Sequence, residues 1–184
     1  LCSDDILEPS MVSISLHFLR KASNVGLTFG DRIRIDAKGN IYSFSRYSKF
    51  RNWYLKWGLT LPQETVLIRR DSYEMSGGLD VSLQMAMDFD LWCKISKVST
   101  LFHIPAYLGR FRTHKKNKST IFTSQINNSK FQEGFPYEFS KVYQRHFAKK
   151  PSTHLSKIGN SLRSIFAFLE RRTIKYRIKF NEAK

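Results

Sequence analysis

The segment Met87–Val98 (MDFDLWCKISKV) most limits what this chain can fold into. At 3.6 residues per turn, Leu91, Trp92, Ile95 and Val98 share one face, and a helix with that stripe needs a core to lie against. Asp88 projects onto the same apolar face. Asp90 falls on the opposite face with Lys94 and Lys97, where an i,i+4 pair is available, and reads as a solvated helix charge. A carboxylate turned inward is costly unless something pairs with it. Asp88 is therefore the first candidate functional residue.

The segments before it alternate between strand and helix patterns. Pro9 suits the first turn of a helix running to about Arg20, with Met11, Val12, Leu16, Phe18 and Leu19 as its apolar side. Val25–Asp36 alternates as a strand, Asp36–Asn40 is turn chemistry, and Ile41–Phe44 pairs back as a hairpin. Ser48–Trp57 reads as an amphipathic helix stopped by Gly58, its aromatics serving the core. Val66–Ile68 is a short apolar run. Asp71–Ser76 is a short helix ended by Gly77 and Gly78, which permit a left-handed cap. After the Asp88 helix, Thr100–Ile104 and Ala106–Arg112 read as strands on either side of Pro105, followed by a basic loop over 113–119. From about Phe122 the pattern is helical, and Leu155–Phe180 is an amphipathic basic helix. Alternating strands and helices place the chain in the α/β class.

Charge divides the chain unevenly. Residues 1–114 carry 15 basic and 11 acidic residues, and residues 115–184 carry 16 and 4. The excess belongs to the tail, which suits an anionic membrane surface, an acidic partner or a solvated helical face. A nucleic-acid-binding module is the alternative this charge raises. It is not expected: no zinc spacing or RNA-binding motif is present, and aromatics do not alternate with basic residues on a strand face. No run of eighteen apolar residues encodes a spanning helix. Two cysteines, Cys2 and Cys93, without metal or redox spacing suit a reducing compartment.

Asp4 and Asp5 admit two readings. Ahead of a helix, adjacent carboxylates favour its positive end. They also suit a hard divalent cation, which takes carboxylate oxygens and leaves positions for phosphate.

Taken together, Ser3-Asp4-Asp5-Ile6-Leu7, Leu61-Pro62-Gln63-Glu64-Thr65, Arg69-Arg70, Gly77-Gly78-Leu79-Asp80, Met87-Asp88-Phe89-Asp90-Leu91-Trp92 and Arg110-Phe111-Arg112-Thr113-His114 resemble the bacterial family-two glycosyltransferases of the GT-A fold. Their joint order and spacing over residues 3–119 carry the resemblance. It implies a partial GT-A domain over 1–119, a mixed sheet with flanking helices, and a basic helical extension over 120–184. The implied activity is inverting transfer of a sugar from a nucleotide-sugar to an acceptor hydroxyl, in polysaccharide or cell-envelope glycan assembly. By the same likeness Ser-Asp-Asp is a variant of the DxD motif. Asp5 would hold the metal, Mn2+ or Mg2+, with His114, and Asp4 and Arg112 would contact the nucleotide-sugar and its diphosphate. Asp88 would be the general base. Gln63 and Trp92 would line the acceptor and sugar side, with core packing the alternative for Trp92 and an exposed loop histidine the alternative for His114.

The resemblance implies as partners a nucleotide-sugar and a glycan or lipid-linked acceptor. It also implies a cytoplasmic setting, with the basic tail available for peripheral contact at the inner membrane face. Enzymes of this kind carry a strand-helix-strand nucleotide-binding half of about eighty residues before the Asp-Asp pair. Only two residues precede Ser3 here, so the isolated chain is expected to lack most of the donor-base pocket and not to transfer sugar by itself.

Overall fold

A computed structural model describes residues 4–47, 50, 52–58, 60–117 and 129–147. Its strands are β1 (Ile6–Leu7), β2 (Val25–Ile35), β3 (Ile41–Ser45), β4 (Leu67–Ile68) and β5 (Thr100–Arg112). Its helices are α1 (Met11–Lys21), α2 (Arg70–Met75), α3 (Met87–Val98) and α4 (Ser129–Phe147). The strands form one mixed sheet in the order β1-β5-β2-β3, with β4 also on β2. β2 and β5 run parallel, whereas the β1–β5, β2–β3 and β2–β4 pairs are antiparallel. This is the α/β architecture with a mixed sheet and flanking helices that the sequence implies, consistent with a partial GT-A-like fold.

Consecutive residues of a strand face opposite sides, and the two cores follow that rule. Leu101 packs with Leu27, Phe29, Phe89, Leu91, Trp92 and Ile95 on the α3 side. Its neighbour Phe102 packs with Ile104, Ala106, Leu108 and the α1 residues Met11, Ile14 and Phe18. Arg69 ties α1 to the sheet by donating to the carbonyls of Leu19, Ala22 and Val25. These include carbonyls that the end of a helix leaves unpaired.

The hairpin forms as read. Asp36 Oδ1 accepts from the N–H groups of Lys38 and Asn40 at 2.8 and 2.9 Å, and Gly39 supplies the left-handed turn residue at φ 94°. Two expectations change. Residues on either side of Pro105 belong to one strand, β5, because a register slip accommodates the proline. Phe29 pairs with His103 and Asp31 with Tyr107, so β5 spends extra residues opposite Gly30. A bulge is where a strand tolerates a residue without an N–H. Within 48–57, the described helical part is a 3₁₀ turn, Asn52–Trp57.

The bulge also places the Gln63–Thr65 turn. The Gly30 N–H, unpaired at the slip, donates to Thr65 Oγ1 at 3.1 Å, and that hydroxyl donates to the Pro62 carbonyl at 2.8 Å. A side chain at Gly109 would lie 2.7 Å from the Glu64 carbonyl oxygen, so only glycine lets the turn lie on β5.

The largest correction concerns Asp90. It is fully buried rather than solvated. α4 lies over the face of α3 that the isolated pattern leaves to water, and Val142 and Tyr143 of α4 join the α3-side core. The Lys94 partner is present, 2.8 Å from Asp90 Oδ2, and Arg145 and His146 of α4 sit 2.9 and 2.8 Å from Oδ1. The basic helix expected over Leu155–Phe180 lies outside the described residues.

Candidate active site

β1 is only two residues long, yet it sets the first half of the site. Ile6 pairs with Arg110 and Leu7 with Gly109, which brings Asp4 and Asp5 beside the end of β5. The Arg112 backbone N–H donates to Asp5 Oδ1 at 3.0 Å, and the Arg112 guanidinium donates to the Asp4 carbonyl at 2.9 Å. That guanidinium also reaches the carbonyls of Asp36 and Ala37 at 3.3 Å, so Arg112 clasps the β2–β3 turn to the Asp-Asp segment. His114 Nε2 lies 2.8 Å from Asp4 Oδ2, and Asn117 donates to the same oxygen at 3.0 Å. The Lys116 N–H donates to His114 Nδ1, which leaves Nε2 to carry the proton facing Asp4. None of these contacts is that of a helix cap: β1 and residues 8–10 separate the two aspartates from α1.

The paired aspartates differ in charge environment. Burial raises Asp4, but its bonds to His114 and Asn117 more than offset this and hold its carboxyl below the usual range. Asp5 is raised, mainly by burial. The Arg112 N–H opposes the rise, the Glu64 and Asp4 carboxylates add to it, and Arg32 opposes it. Asp5 is thus a carboxylate that a cation would favour. Among the described residues no group of three or more His, Cys, Asp or Glu side chains converges as a metal cage. Mg2+ and Mn2+ need no such cage, because one or two carboxylates and substrate phosphates suffice for hard cations. The residues present fit such an ion on those terms.

Asp88 sets the other half. It occupies the first turn of α3, partly buried, with Oδ1 accepting from the Phe89 N–H at 2.7 Å. Burial raises its carboxyl above the ordinary aspartate value. The Phe89 N–H, its own N–H and Arg32 oppose the rise. A carboxyl shifted upward is a better proton acceptor for a hydroxyl.

Arg32 is the link between the halves, and motif reading passed over it. Its Nη2 donates to Glu64 Oε2 at 2.7 Å and its Nε to Glu64 Oε1, forming a two-pronged pair with a carboxylate 2% exposed. The guanidinium also stacks on Phe111, 4.6 Å from the ring centroid. Arg32 acts electrostatically on both Asp5 and Asp88. Gln63 stands exposed on the same turn as Glu64. Trp92 lies elsewhere, 3% exposed in the α3-side core, where the packing alternative puts it.

The connection into α3 is held from α4. Glu138 accepts from the N–H groups of Gln84, Met85 and Ala86 at 2.7–3.1 Å, serving as the acid that a helix N-terminus favours. Arg145 bridges Asp80 and Asp90, and Lys94 donates to the Gly78 carbonyl. Gly77 and Gly78 are both left-handed, at φ 79° and 66°. Asp88 is therefore presented by a segment fixed at both ends.

No family model matches the sequence. Over 124 residues the chain is 28% identical to the chondroitin synthase of Escherichia coli, covering 65% of this chain and 17% of that protein. This is a relationship to a glycosyltransferase. The chain spans about a sixth of the length of the curated relative it matches. Among the described residues no helix is long and apolar enough to cross a membrane.

Proposed function

We propose that this chain is the acceptor-side catalytic region of an inverting, family-two type glycosyltransferase with a GT-A-like fold. It would transfer a sugar from a nucleotide-sugar to a hydroxyl of a glycan or lipid-linked acceptor. What supports the reading is that two partly buried carboxylates, Asp5 held by the Arg112 N–H and Asp88 at the first turn of α3, both lie within electrostatic reach of Arg32, which is itself fixed by its two-pronged pair with Glu64. The 28% identity to a chondroitin synthase supports the same class of chemistry.

In this reading Asp88 accepts the acceptor hydroxyl proton as that oxygen attacks the anomeric carbon. The bond from that carbon to the diphosphate breaks, and the nucleoside diphosphate leaves with the bonding pair. Asp5 would hold a Mg2+ or Mn2+ ion, joined by His114 once its Nε2 gives up the proton that faces Asp4, and the ion would offset charge on the leaving diphosphate. Asp4, oriented by His114 and Asn117, would face the nucleotide-sugar, and Arg112 would add positive charge from its anchored position. Gln63 would meet the acceptor. Polysaccharide or cell-envelope glycan assembly, at the cytoplasmic face of a membrane, is the setting this proposal assigns.

The test is Asp88→Asn in transfer-competent enzyme, this region together with a nucleotide-binding half. Donor affinity should stay near wild type while kcat falls about 10²–10⁴-fold. Wild-type turnover in that variant would remove Asp88 as the base.

A further inference from the structure

The edge strand β3 carries an aromatic strip that the proposed chemistry leaves unused. Phe44 and Arg46 alternate along and just beyond β3, and Tyr42, the extra residue at the β2–β3 register slip, reaches the same side, since its hydroxyl meets Thr113 at the end of β5 and the Phe44 ring meets Tyr107 of β5. Tyr42 is 53% exposed and Phe44 58%. Tyr107 of β5 completes the surface. Its ring centroid lies 5.3 Å from that of Phe44, and its hydroxyl accepts from Arg46 Nε at 2.8 Å. The Arg46 guanidinium also lies over the Tyr107 ring, 5.9 Å from its centroid. Arg46 has no carboxylate within ion-pair distance among the described residues. At the other end, the Tyr42 hydroxyl is 2.7 Å from Thr113 Oγ1, and Thr113 adjoins His114 on Asp4.

Resting on the glycosyl-transfer reading, we propose that Tyr42, Phe44, Tyr107 and Arg46 form a binding platform for an acidic glycan chain leading to the Asp4–Asp5 end of the site. Sugar rings present C–H faces that lie on exposed aromatic rings, and their hydroxyls meet a hydroxyl rim, here Tyr42, Thr113 and Tyr107. Exposed rings with polar tips suit such a half-wet contact. Arg46, with no carboxylate within ion-pair distance among the described residues, selects a chain bearing carboxylates over a neutral one. A second copy of the chain pairing along β3 is the less suitable occupant. The strand is five residues long, with Lys38 in the turn before it and Arg46 just after it, and charge on an edge opposes strand addition.

The test is a titration of the ¹⁵N-labelled chain with tetragalacturonic acid, an acidic probe, and with cellotetraose, a neutral one. Amide shifts at Tyr42–Arg46, Tyr107 and Thr113, with tighter binding of the acidic probe, are expected. Phe44→Ala should weaken binding of the acidic probe about tenfold, and Tyr42→Ala, equally exposed, should do likewise. Arg46→Gln should remove the preference for the acidic probe and leave cellotetraose unchanged. Shifts confined to the basic residues from Lys115 onward, an unaffected Phe44→Ala, or β3 shifts that follow protein concentration without glycan would each overturn the platform. Asp88→Asn should bind the acidic probe as wild type does. A protein that loses transfer in Asp88→Asn yet binds no glycan on β3 therefore overturns the platform alone. One that binds there but keeps transfer overturns only the base.

Discussion

The two faces of α3 carry aspartates two residues apart that meet opposite surroundings. Asp88 faces the sheet side, where burial is matched only by backbone N–H groups and a more distant Arg32, and its carboxyl is pushed up. Asp90 faces α4 and is buried more completely, yet His146, Lys94 and Arg145 around it hold its carboxyl far below the usual range. Burial alone therefore decides neither role. Partners decide: surrounded by three basic side chains, Asp90 is an anchor, while Asp88 keeps a carboxylate free to take a proton. The same helix thus carries a fixed charge that holds it in place and a poised one that can act.

The contrast is sharpest in stability. Asp90→Ala leaves the buried His146 ring without its hydrogen-bond partner and Lys94 without its carboxylate, while Arg145 keeps Asp80, and should cost about 2–4 kcal/mol in urea denaturation. The lower end applies if Lys94 turns to water. Asp88→Asn should change stability by less than about 0.5 kcal/mol, or raise it, since it removes a buried charge that nothing fully pairs. Equal losses would erase the distinction between the faces.

A second break lies in acid. The folded pKa of Asp90 is depressed, so its stabilisation is full above the unfolded value of about 3.9 and lost as pH falls through the folded value. The folded pKa of Asp88 is raised, so its penalty is full above the folded value and disappears as pH falls toward the unfolded one. Denaturation midpoints between pH 6 and 3 should accordingly fall most steeply in Asp88→Asn, less in wild type and least in Asp90→Asn. Any other order contradicts the assignments. A smaller loss than that of Asp90→Ala is expected from Glu138→Gln. Replacing the charged acceptor over Gln84–Ala86 by an amide should cost about 1 kcal/mol and speed hydrogen exchange of those three amides while leaving β2 amides unchanged.

What sequence reveals follows the range of the interaction. The hairpin turn at Asp36–Asn40, the Gly77-Gly78 stop, the partly buried Asp88 and the Leu91, Trp92 and Ile95 part of the α3 stripe are local patterns, and the structure keeps them, whereas Val98 at the end of the stripe is exposed because α3 stops there. The burial of Asp90 depends on Arg145 and His146, more than fifty residues away, and no periodicity within α3 reports a helix that covers it. Arg32 alternates with isoleucines and reads as an exposed strand residue. Its partner Glu64 lies beyond a register slip that no local pattern predicts. The signal that could have found Glu64 was chemical: a charged residue between Leu61-Pro62 and Val66-Leu67 in an otherwise apolar approach to β4. Asn117 joins Asp4 only because β1 and β5 align, and β1 is too short to be read from two residues.

The most direct measurement is a single ¹³C NMR titration of the Asp88 and Asp90 side-chain carboxyls in this chain, assigned with the two Asn variants. A midpoint above the ordinary aspartate value of 3.8 is expected for Asp88 and one below it for Asp90. Coincident midpoints, or the reverse order, would contradict this and return Asp88 to an ordinary helix charge.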